Sequence, residues 1–249
     1  MTNPTFLPGV PAEAAFAALR RAPGNEIASG KFTGPESSSA LSANAFGWFL
    51  DRPEDLPPLP GVPMAQPTEV DLTVELHLPW QGGRHPFIDV LALTPTTLTG
   101  VVSKRYEPFR PAKKTEFSED FDTRDWGTGM AQYTALRHAI ADGSQTYRHL
   151  DAAQLIKHAY ALRTQALKRA RGAVLVYLHA APADWANGKP VDPTAHARHA
   201  AEIAHFAGAI RGDDVAFAPV KWIDVLAQWS RIPALAAHAK AVANTFGPI

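Results

Sequence analysis

The sequence predicts an α/β (α+β) fold: a mixed central sheet, opened by a three-strand antiparallel meander and extended by later strands, with helices flanking it. Three observations predict it. Residues 70–79 alternate, with Leu72, Val74, Leu76 and Leu78 to one side and Asp71, Thr73, Glu75 and His77 to the other, the pattern of a half-buried strand. Two further apolar runs, 87–93 and 98–104, follow across short turns at Gln81-Gly82-Gly83-Arg84 and Thr94-Pro95-Thr96-Thr97. After residue 128, helical and strand patterns alternate to the C-terminus.

Ahead of the meander, residues 12–22 read as a short helix with Ala15, Phe16 and Leu19 on one side. Pro35 and Glu36 suit a first helical turn, and Leu41, Ala45, Trp48 and Phe49 follow at i, i+4, i+7 and i+8, an amphipathic spacing. Six prolines between 51 and 68 exclude a central strand or helix there and predict a stiff connection across the surface of one domain spanning 1–249. Residues 105–127 are charged and irregular and predict a long polar loop, either a mobile flap or a surface excursion. Helices are expected at 128–141, 151–169 and 194–210, strands at 173–180 and 215–220, and a helix at the C-terminus.

Lys plus Arg and Asp plus Glu number 24 each, so there is no bulk cationic field, and a polyanion would have to meet a local patch. With no cysteine, disulfides, thiolate nucleophiles and cysteine zinc sites are excluded. The N-terminal residues lack the pattern of a signal peptide, and no apolar run approaches the ~18 residues that cross a bilayer, so a cytoplasmic chain without a membrane partner is expected.

The residues that invite chemistry lie in the meander. Asp89 stands inside an apolar strand, and Ser103, Lys104 and Arg105 end the next. If the turn 94–97 pairs Leu93 with Leu98, Asp89 lies opposite Val102 with Lys104 one step further on. Val102 and Lys104 share a face. Charges in a central strand need partners, so the pair is either a structural ion pair or a hard-metal site.

A helix, a three-strand meander, an acid in its second strand and Ser-Lys ending its third together resemble the PD-(D/E)XK nuclease superfamily, the restriction-endonuclease-like fold, over roughly residues 26–220. The resemblance implies a metal-dependent phosphodiester hydrolase with Mg²⁺ or Mn²⁺, acting on nucleic acid, DNA in the first instance, and leaves a homo-oligomer open. It makes Asp89 the metal-holding acid, Lys104 the group that positions the attacking water, Glu36 an added helical carboxylate and Gln154 a glutamine beside the site. Ser103 would add a ligand, and Glu75 is, with Glu36, a candidate to replace the missing second carboxylate. Arg105, Arg110, Lys113 and Lys114 on the flap and Lys157 on a helix would meet the nucleic-acid backbone.

The departure from the family pattern is Val102, which occupies the place of the second carboxylate and cannot ligate a metal. The alternative is therefore a catalytically silent nucleic-acid- or protein-binding module on the same fold. Other motifs carry less. "GNEIASGKF" has Asn25 and Phe32 where a phosphate loop needs Gly and Ser or Thr, and no Gly-x-Ser-x-Gly is present. His196, His199, Glu202 and His205 read as a surface histidine cluster rather than a zinc site of a small-molecule hydrolase. His85 is a candidate to line the cleft, and Trp48, Phe49, Trp126 and Trp222 are expected in the core or an interface rather than as base-stacking platforms.

Overall fold

The structure is a computed structural model that describes residues 5–22, 26–111 and 116–249. Its centre is a five-stranded mixed sheet in the order β1-β2-β3-β4-β5: β1 (Glu69–Glu75), β2 (Phe87–Leu93), β3 (Thr97–Lys104), β4 (Gly172–His179) and β5 (Val215–Lys221). The first three strands form the expected antiparallel meander, whereas β3–β4 and β4–β5 are parallel. Parallel neighbours need crossovers, and α5 (Ala152–Lys168) and α6 (Pro193–Ala209) supply them.

One face of the sheet packs through Val70, Leu72, Val90, Val101, Val176 and Val220 against α1 (Ala12–Arg21), α2 (Ser38–Gly47), α7 (Trp222–Trp229) and α8 (Pro233–Phe246). The other packs through Leu98, Val102, Leu175 and Tyr177 against α4 (Ala131–Ala141), α5 and α6, with α3 (Asp120–Thr123) at its margin. No helix among the described residues is long and apolar enough to cross a membrane.

The details depart from the sequence reading where long-range packing overrides local pattern. The first-turn role expected of Pro35 and Glu36 falls outside the helix: α2 begins at Ser38, and the Ser37 hydroxyl caps it by accepting the Ala40 N–H. Every residue of α2 from Ala40 to Gly47 is buried, because the helix is sandwiched between the sheet and α8. It is a central helix rather than an amphipathic one.

The single-sided alternation of residues 72–78 also fails. Thr73 has φ 52°, in the left-handed region where a β-branched residue is rare. Leu72 therefore packs on the α2 side, while Val74, Leu76 and Leu78 pack on the α5 side. The paired strand changes sides at the same place, since Val90 joins the α2 side and Ile88 the α5 side. The pairs Leu72–Val90 and Val74–Ile88 bracket the change, so Thr73 and Asp89 face each other at the point where the sheet turns over.

The proline-rich connection runs over the surface and sets Leu56, Leu59, Val62 and Met64 into the core. The described residues of 105–111 and 116–127 are built into the fold rather than standing off it as a flap. They hold a 3₁₀ turn at Glu107–Phe109 and the short α3, and Arg105, Tyr106, Phe121 and Trp126 are buried. Phe49, Trp126 and Trp222 are core residues as expected, and Trp48 is half-buried against Phe49 and His238.

Candidate functional site

The expected register is present: Leu93 pairs with Leu98 and Val90 with Val101, where the β2–β3 ladder stops. Beyond it a side chain continues the connection, as the Ser103 N–H donates to Asp89 Oδ2 at 2.7 Å. Asp89 keeps a partly solvent-facing edge, yet burial pushes its carboxyl up to about 6 against the pull of Lys104 and the Ser103 N–H. Glu107 and Glu26 add to the upward push, so three acids share one neighbourhood.

Lys104 ends β3 on the side of Tyr177 and Gln154, and the three line one cavity of about 560 Å³. Among the described residues it makes no ion pair within 4 Å. Its ammonium is nonetheless the foremost opposite charge acting on both Asp89 and Glu107. Glu107 is the residue that sequence reasoning missed. It sits three positions after Lys104 in the 3₁₀ turn and accepts from the Ser38 hydroxyl and, at 2.8 Å, from the Arg105 N–H. Burial pushes its carboxyl up, but Lys104, Ser38 and the Arg105 amide together hold it below the usual range. The signal was the acid in "SKRYEPF", which has no strand periodicity to mark it as inward-facing.

The remaining residues divide. Gln154, in the first turn of α5, lines this cavity and also a second one of about 430 Å³ beside it, which His85 and Lys157 line as well. Glu36 is directed elsewhere: it pairs with Arg110 at 2.7 Å and accepts from the Ala186 N–H at 3.2 Å. It is not among the charges acting on Asp89. Glu75 ends β1 exposed, 3.7 Å from His77, and is likewise absent from that set. Neither replaces the carboxylate missing at Val102, whose side chain is buried in the α5-side core.

Of the cations assigned to a nucleic-acid backbone, Arg105 is buried. It donates to the carbonyls of Pro35 (2.6 Å) and Phe246 and lies over the Tyr106 ring, so it ties the site to the C-terminal helix instead of meeting a ligand. Arg110 lines the cavity while paired with Glu36, and Lys157 donates to the Glu116 carbonyl beside Phe117 and Phe121. Lys113 and Lys114 lie outside the described residues.

The expectation of a surface histidine cluster is corrected. His199 is buried, with Nε2 bonded to the Tyr177 hydroxyl at 2.9 Å. Glu202 accepts three main-chain N–H groups, from Arg148 (2.8 Å), His149 (2.7 Å) and Leu150 (2.8 Å), and so anchors one wall of the larger cavity. Among the described residues no group of three or more His, Asp or Glu side chains is arranged to enclose a metal ion. Comparison with protein-family models, curated proteins and solved structures finds no match.

Proposed function

We propose that the chain is a metal-dependent phosphodiester hydrolase of the restriction-endonuclease-like kind, with Glu107 standing in for the carboxylate absent at Val102. The order α2, β1–β2–β3, α5, β4, with β4 parallel to β3, supports the reading. The observation that carries it is the Ser103 N–H donating to the Asp89 carboxylate at 2.7 Å at the end of β3, with Lys104 directly after it and Glu107 in the following turn both lining one cavity.

Two carboxylates and one ammonium leave one formal negative charge and only hard oxygen donors. That suits Mg²⁺ or Mn²⁺, since Mg²⁺ is commonly held by one or two carboxylates, waters and substrate phosphate rather than by an all-protein cage. Asp89 and Glu107 would hold the ion, with a main-chain carbonyl such as that of Ser103. A bound divalent cation would supply Lewis-acid polarisation of a phosphoryl oxygen. Lys104 would orient a water for in-line attack and offset the charge that builds on the phosphoryl oxygens. The water oxygen bonds phosphorus, the ester P–O bond breaks, and the departing alkoxide takes up a proton. Gln154 would hydrogen-bond the substrate from the α5 side of the cavity.

Incubation of DNA with the protein and Mn²⁺ tests this. Cleavage should be lost in Asp89→Asn, Lys104→Ala and Glu107→Gln. Cleavage that survives both Asp89→Ala and Lys104→Ala would overturn the assignment.

One observation favours a second reading, the silent binding module: a buried apolar side chain fills position 102. That reading expects salt-sensitive DNA binding without hydrolysis and no response to millimolar Mg²⁺. Val102→Glu separates the two, since emergence of cleavage only in that variant would show a silent native form.

A further inference from the structure

We infer that the smaller cavity is a pocket for one unpaired nucleobase of the strand whose phosphate enters the larger cavity. The inference rests on the reading of the larger cavity as the hydrolytic site, and it names that site's substrate as nucleic acid unpaired at the nucleotide beside the cut.

The two cavities meet at Gln154, which lines both. The smaller one, about 430 Å³, lies between the β1–β2 connection, α3 and the first two turns of α5. Trp80 and Phe121 make one corner of it, with ring centroids 5.0 Å apart and planes at 87°. A planar ring entering that corner stacks on one of them and turns its edge to the other, the two arrangements that aromatic pairs prefer. The corner is held from behind. Trp126 lies 6.1 Å from each of the two rings, stacks on Tyr160 at 3.8 Å, and donates its Nε1–H to the Phe121 carbonyl at 3.2 Å. Rings fixed in advance lose little freedom when a ligand arrives.

The polar groups of the cavity favour a base over an apolar side chain. The Trp80 Nε1–H, the Gln154 side-chain amide and the Arg84 guanidinium have no hydrogen-bond partner among the described residues, and all three residues line the cavity. His85 Nδ1 accepts the Leu78 N–H at 3.2 Å, which leaves Nε2 to carry the ring proton. Asp120 is an acceptor, engaged on one side by the Ser118 hydroxyl at 3.2 Å. Lys157 donates to the Glu116 carbonyl 5.4 Å from the Phe117 ring and 5.7 Å from the Phe121 ring, and an ammonium has three donors. A base edge sets donors and acceptors side by side and can meet such a mixture, whereas a hydrocarbon ligand would strip these groups of water and give nothing back. Arg84 and Lys157 suit the phosphates on either side of the base. Stacking on a protein ring requires a base that has left its duplex stack, so the base enters unpaired.

Binding of single strands without metal, in EDTA and at one fixed salt concentration, tests this. The probes are a short thymidine strand and the same sugar–phosphate chain with every base removed, so that charge is equal and only the bases differ. The native chain should bind the strand with bases roughly tenfold tighter or more, the scale of one stacked base. Trp80→Leu keeps apolar volume without an aromatic face and should bind the two chains alike, whereas Trp80→Phe should keep most of the difference. The thymidine strand annealed to its complement should bind Trp80→Leu and the native chain equally, which also shows that the variant is folded. Equal affinity of the native chain for the two single-stranded probes, a base preference that Trp80→Leu retains, or equal weakening of strand and duplex in that variant overturns the inference. Mn²⁺ binding, read by thermal shift in the native chain and in Asp89→Asn, bears on the larger cavity alone. A base preference with no Mn²⁺ shift keeps the pocket, as part of a silent binding module, and removes the hydrolytic reading. A Mn²⁺ shift with no base preference removes the pocket.

Discussion

The Ser103 main-chain N–H donates to the Asp89 carboxylate across 2.7 Å, at the point where the β2–β3 ladder has ended. The aspartate thus replaces a main-chain acceptor, and the next residue along, Lys104, is the opposing charge that acts on it most. Directly across the β1–β2 pair stands Thr73 in a left-handed conformation, so the sheet turns over where the acid sits. Backbone of that kind costs of order 1–3 kcal/mol and tends to persist where function uses it.

Asp89 titrates with a measurable sign. Its carboxyl is raised from 3.8 to about 6 in the folded chain, so between those values the folded state binds more protons than the unfolded one. Stability contributed by protonated Asp89 is present below about pH 4 and is lost as pH rises through about 6. Asp89→Asn preserves the acceptor for Ser103 and removes the ionisation. It should stabilise the chain at pH 8 by about 1–3 kcal/mol and leave it nearly unchanged at pH 4, read from urea unfolding midpoints. Equal effects at both pH values would show that the carboxylate is not desolvated.

The stretch from 87 to 104 was legible because its controls are local. A four-residue turn, held by the Thr94 hydroxyl accepting the Thr97 N–H at 2.9 Å, sets Leu93 against Leu98 and thereby Asp89 near Ser103 and Lys104. The parts that were not legible depend on distant packing. Thr73 reads as an ordinary strand residue, because side-chain alternation carries no mark of one left-handed φ. Arg105 reads as a solvent cation, because its acceptors Pro35 and Phe246 are 70 and 141 residues away in sequence. Glu107 escapes for the same reason: the hydroxyl that donates to its carboxylate belongs to Ser38 on α2, 69 residues away in sequence.

Arg105 supplies the next prediction. A buried guanidinium that bridges two carbonyls from opposite ends of the chain and covers a tyrosine ring cannot be matched by a lysine, which has no fork. Arg105→Lys should cost about 2–3 kcal/mol, the scale of one or two charge-assisted hydrogen bonds, with an unchanged urea m-value. A loss below about 0.5 kcal/mol would mean that the bridge contributes nothing net.

Glu202 should be a stability residue with a local signature. Glu202→Ala leaves three amides without their acceptor, at an expected cost of about 2–3 kcal/mol, while Glu202→Gln retains one carbonyl oxygen and should cost about 1 kcal/mol. Exchange of the Arg148, His149 and Leu150 amides should accelerate in Glu202→Ala well beyond the global change. Uniform acceleration would place the effect in α6 as a whole.

Gly100 links the core to the site. It lies in β3 opposite Leu91, and a Cβ built there would stand 2.3 Å from Ile88 Cδ1 and 3.2 Å from Leu162 Cδ1. Ile88 precedes Asp89, and Leu162 lies on α5, whose first turn carries Gln154. Both neighbours are ends of flexible side chains, so Gly100→Ala should fold, at a cost of about 1–3 kcal/mol from overpacking. Moving Ile88 shifts the strand at Asp89, and moving Leu162 lifts α5 from the sheet. A protein that binds Mn²⁺ through Asp89 should therefore lose affinity in Gly100→Ala by roughly tenfold, the 10–100-fold scale seen when supporting residues around a metal site are disturbed. Isothermal titration at neutral pH measures it. Unchanged affinity in a destabilised Gly100→Ala chain would show that α5 and β2 yield without moving the carboxylate.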